Sequence, residues 1–96
     1  MSKPSYSRYV EEVIGWVEQH GYARLVIDPH EKHIVIKQSK TKGRYYSFAL
    51  WRSYRREYLA SKVTPATLAA LLEQHAPGFG VVDLYSEDNE LVKVFT

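Results

Sequence analysis

Apolar residues stand at Tyr6, Tyr9, Val10, Val13, Ile14 and Val17, and Arg8, Glu11, Glu12, Glu18 and Gln19 fall between them. Steps of three and four residues put the first set on one stripe of an α-helix, so the spacing predicts a helix from Ser5 or Ser7 to His20. Either serine can cap it, because a hydroxyl oxygen accepts from a first-turn amide that lacks an intrahelical partner. Gly21 follows, and glycine suits the left-handed position that ends a helix. Gly15 interrupts the pattern and is read as a close approach of two backbones. Residues 1–4 are read as a loose tail.

The period then changes. Leu25-Val26-Ile27 and Ile34-Val35-Ile36 are short β-rich runs around the turn Asp28-Pro29-His30-Glu31-Lys32, which together predict a hairpin. Gln38 to Gly43 is a second polar turn. Arg44 to Trp51 alternates, with Tyr46, Phe48 and Leu50 on one face and Tyr45, Ser47, Ala49 and Trp51 on the other. Arg52 to Val63 suits either period, since Tyr54 and Tyr58 stand four apart, and is read as a helical or irregular connection. Thr64-Pro65 opens a second helix, with threonine as cap and proline at the first helical position. Leu68, Leu71, Leu72 and His75 continue it as far as Pro77-Gly78. Val81 to Tyr85 and Leu91 to Phe95 are strands joined by the acidic turn Ser86-Glu87-Asp88-Asn89-Glu90.

The order α-β-β-β-α-β-β predicts an α+β fold: an antiparallel sheet of about five strands with two helices packed on one face. The first two strand runs are apolar on both faces, so the second face calls for a cover of its own. The connection 52–63 is one candidate, and a second copy of the chain, making a homodimer, is the other. A pattern also recurs. Glu18-Gln19-His20 precedes Gly21-Tyr22, and Glu73-Gln74-His75 precedes Gly78-Phe79, which marks 5–38 and 64–96 as a candidate internal repeat. The first five elements share their order with double-stranded-RNA-binding domains. The resemblance is one of order alone, because Thr64-Pro65-Ala66-Thr67 stands where those domains set lysines on phosphates.

Ninety-six residues predict a single domain. No cysteine is present, which excludes disulfides and thiolate metal sites and suits a reducing, cytoplasmic setting. The N-terminus lacks the apolar core of a signal peptide, and no apolar run is long enough to span a membrane.

Charge changes the picture most. Eight of the thirteen basic residues lie between Lys37 and Lys62, against Glu57 alone. That segment is +7 and the rest of the chain is −5, for a total of +2. Six of the thirteen aromatic residues lie in the same segment. Cations displace the counterions condensed on a nucleic acid, and flat side chains stack on unpaired bases. The candidate DNA- or RNA-binding residues are therefore Lys37, Lys40, Lys42, Arg44, Tyr45, Trp51, Arg52, Tyr54, Arg55, Arg56 and Lys62. Arg52, Arg55 and Arg56 are read as a phosphate clamp, since guanidinium groups pair bidentately with phosphate oxygens. The competing readings are aromatic core with charges that keep an edge strand soluble, and a basic surface for an acidic protein partner. A small cysteine-free chain also suits a plasmid- or phage-borne adaptor or inhibitor.

Other chemistry has little support. Asp28, His30, Glu31 and His33 crowd one turn, but His30 and His33 are three apart and point to opposite faces in an extended chain, so no metal is expected. His20 and His75 suit helix C-termini, where an imidazole meets the negative end of the dipole. No Gly-x-Ser-x-Gly elbow or glycine-rich phosphate loop occurs, and no cofactor is expected. The chain is read as a non-catalytic binding protein. Nuclease-type acid–base chemistry from His, Tyr, Arg and Lys is the enzymatic alternative.

Overall fold

The computed structural model describes residues 8–28, 32–39, 45–52, 55–75 and 81–95, with only the backbone for Arg8, Asp28, Arg52 and 56–60. In chain order the elements are α1 (Arg8–His20), β1 (Tyr22–Asp28), β2 (Lys32–Gln38), β3 (Tyr46–Arg52), β4 (Arg55–Val63), α2 (Pro65–His75), β5 (Val81–Tyr85) and β6 (Leu91–Phe95). The six strands form one antiparallel sheet in the order β4-β3-β2-β1-β5-β6. β1 to β4 run as a meander, and α2 carries the chain back across the sheet to β5.

The α+β fold with an antiparallel sheet and two helices on one face is as expected; the strand count is six rather than five. The difference is segment 52–63: its spacing points to a helical or irregular connection, and the structure makes most of it β4. Its backbone completes the hydrogen-bonding edge of β3, with Ala49 opposite Tyr58 and Trp51 opposite Arg56. A four-residue spacing of tyrosines does not outweigh a neighbouring strand with unpaired amides and carbonyls a short turn away. The extra strand also interrupts the α-β-β-β-α order shared with double-stranded-RNA-binding domains. It joins the sheet and so does not cover the second face.

Each helix forms for the reason its pattern gives. Tyr9, Val10, Val13 and Val17 of α1 are buried on one stripe. Gly21, at φ 73°, ends it, and its amide donates to the Val17 carbonyl at 2.7 Å. A Cβ on Gly21 would stand 3.0 Å from Gln38 Oε1. Among the described residues Gly15 makes no close approach to another element, because beyond its own helical turn nothing lies within 4 Å of where its Cβ would stand. Thr64 caps α2 reciprocally. Its amide donates to Thr67 Oγ1 at 3.0 Å, and the Thr67 amide donates to Thr64 Oγ1 at 3.4 Å.

The core lies between helices and sheet. Alternation sends Ala23, Leu25 and Ile27 of β1, Ile34 and Ile36 of β2, and Tyr46, Phe48 and Leu50 of β3 against α1 and α2. Burying each large apolar side chain contributes about 1.5–3 kcal/mol. Tyr9 ties the layers together: its hydroxyl donates to the Leu72 carbonyl at 3.1 Å, and its ring lies 6.0 Å from Phe95. Burial, with Glu73 nearby as the smaller cause, pushes that hydroxyl well above the ordinary tyrosine value, so it stays a neutral donor. The ladder between β1 and β5 is symmetric about Val26↔Asp83. Leu25↔Leu84 mirrors Ile27↔Val82, and Arg24↔Tyr85 mirrors Asp28↔Val81.

Among the described residues no element packs on the second face. Arg24 and Val26, His33 and Val35, Ala49 and Trp51, and Asp83 and Tyr85 occupy it by alternation and register, with Val35 and Ala49 buried at 8% and 3% exposure and the rest half-buried or exposed. No helix among the described residues is long and apolar enough to cross a membrane.

Candidate nucleic-acid interface

Three neighbouring strands carry the described basic and aromatic residues. Tyr45, just before β3, and Trp51, near its end, are 38% and 39% exposed. Six residues of extended chain separate them by about 20 Å. Lys37 is exposed on β2, opposite Ser47 of β3, and the Ser47 hydroxyl donates to its carbonyl at 3.4 Å. Arg55 and Lys62 are exposed on β4. Tyr45, Lys37 and Lys62 cluster at one end of these strands, while Trp51, Arg55 and Arg56 mark the other.

The arginines divide by register. Arg56 stands opposite Trp51, and Arg55 stands opposite Arg52. Consecutive strand residues alternate, so the positions of Arg55 and Arg56 lie on opposite faces, with Arg56 at the open-face position beside Trp51. Lys40, Lys42, Arg44 and Tyr54 lie outside the described residues. Lys62 has φ 57° and sits where β4 carries extra residues against β3. A lysine in the left-handed region of a bulged strand bends the edge locally.

Sequence reasoning missed the centre of the open face. The Arg24 guanidinium lies 4.4 Å from the Tyr85 ring centroid, donates to His33 Nδ1 at 3.3 Å, and donates to Asn89 Oδ1. These residues come from β1, β2, and β5 with the turn after it. The imidazole that accepts from Arg24 must hold its Nδ1 lone pair free. Arg24 is isolated in the sequence, so no charge run marks it. His30 and Glu31 of the candidate metal set lie outside the described residues. On the helix side, a separate pocket of about 280 Å³ is lined by Glu18, Gln38, Tyr46 and Pro65. Its carboxylate and amide do not join the basic surface.

No protein-family model, curated protein or solved structure matches this chain.

Proposed function

We propose that this protein binds nucleic acid, without catalysis, on the open face of its sheet along β2, β3 and β4. One observation carries the reading: the helices cover one face only, and exposed aromatic and basic residues line one side of the other. An aromatic on a sheet offers a π-face to an unpaired base, and the flanking cations meet the phosphates. The stretch of about 20 Å from Tyr45 to Trp51 accommodates about six stacked nucleotides at 3.4 Å each. Phosphate contacts dominate and sequence preference is weak. The cysteine-free chain suits a cytoplasmic setting for this activity.

Titration of the protein with labelled single- and double-stranded oligonucleotides at two salt concentrations tests the proposal. About five phosphate contacts give a log–log salt slope near −4.5 on a duplex and near −3.5 on a single strand. Replacement of Arg56, the one of the three arginines at an open-face position, by alanine lowers the duplex slope by about 0.9 and weakens all sequences alike. Trp51→Ala weakens single-strand binding by about fivefold or more, as loss of a stacked base requires. Absence of binding at low salt overturns the proposal and turns the surface over to an acidic protein partner.

A further inference from the structure

Among the described residues the outer edge of β6 is the less protected of the two edges of the sheet, and we infer that a second copy of this chain adds to it, β6 against β6, about a two-fold axis through Lys93. An outermost strand leaves a row of backbone donors and acceptors without a strand partner, and proteins guard such rows with charge, bulges and twist. β4 has these devices: two register shifts, a left-handed Lys62, and Arg55, Arg56 and Glu57. β6 reads Leu-Val-Lys-Val-Phe and has one shift and one charge. Leu91, Val92 and Val94 are 53%, 38% and 44% exposed.

The strand is complementary to itself. Antiparallel pairing centred on Lys93 sets Val92 of each copy opposite Val94 of the other, so apolar meets apolar on the open face. It also sets Lys93 against its own image. Each Lys93 ammonium lies 2.5 Å from Glu12 on the helix side, which partly offsets that repulsion. An axis normal to the sheet leaves both open faces on one side, with the guarded β4 edges outermost. The inference does not depend on nucleic-acid binding.

Sedimentation equilibrium from about 1 µM to about 1 mM tests it, alongside the double variant Val92→Lys/Val94→Lys and Trp51→Ala. Both valines are exposed, so circular dichroism should match the wild type. The expected result is a wild-type dimer, a dissociation constant raised at least about tenfold by the two lysines, and no change in Trp51→Ala. Because the chain has no cysteine, Lys93→Cys supplies a unique thiol. Two such residues directly opposite, with Cα atoms about 4.5–5.5 Å apart, form a disulfide-linked dimer on mild oxidation. A protomer mass throughout the concentration range overturns the inference. So does a double-lysine variant that dimerises as tightly as wild type, or loss of the dimer in Trp51→Ala, which would place the contact on the open face.

Discussion

The two edges of one sheet solve the same problem in opposite ways. β4 is nine residues long, basic, bulged and strained at Lys62; β6 is five residues long, largely apolar, and its one charge is taken up by Glu12. Such a difference sets an edge guarded by its own residues against one left to the proposed partner. The guarded edge lies beside the basic–aromatic surface proposed to take nucleic acid. The plain edge lies at the far side of the sheet, where a partner can dock without covering that surface.

The largest expected effect contrasts the cores beneath the two ends. Phe48→Ala, at a fully buried site in β3, should cost about 3–5 kcal/mol, and Phe95→Ala on β6, at 9% exposure, should lie at or below the bottom of that range. Urea melts under conditions where the protein is monomeric check this, and equal losses would erase the difference between the ends.

Lys→Val exchanges at the edges sharpen the comparison next. At Lys62 a β-branched residue must enter the left-handed region, which should cost about 1–2 kcal/mol. At Lys93 the same exchange removes only an exposed ion pair, with about 0.5 kcal/mol or less at stake, and should increase self-association. A neutral Lys62→Val would refute the strain assigned to β4.

The last effect is pH-dependent. The Tyr9 hydroxyl has its folded pKa raised by burial, so the folded state holds this proton more tightly than the unfolded chain. Its contribution is complete below the unfolded value near 10 and falls as pH rises above it, towards the raised folded value. Tyr9→Phe should cost about 1 kcal/mol at neutral pH and flatten the alkaline decline. Thermal melts between about pH 8 and pH 11 measure both, and an unchanged slope in the variant would show that Tyr9 is not the group responsible.

Much of the fold was legible in the chain. The stripe Tyr9, Val10, Val13, Val17 and the Gly21 stop define α1, Thr64-Pro65 opens α2, and alternation in β3 sorts Tyr46, Phe48 and Leu50 from Ala49 and Trp51. Local sterics and periodic burial act over a few residues, so neighbouring positions suffice to read them. The concentration of cations and aromatics between Lys37 and Lys62 was equally plain. Only the tertiary structure made 55–63 a strand, because its pairing depends on the open edge of β3. Only strand order brought Arg24, His33, Tyr85 and Asn89 together, since β1 and β5 meet across a long connection through α2. The identity of the uncovered face was likewise decided by where both helices pack. A side chain's alternation is local, but which side meets solvent is a property of the assembled layers.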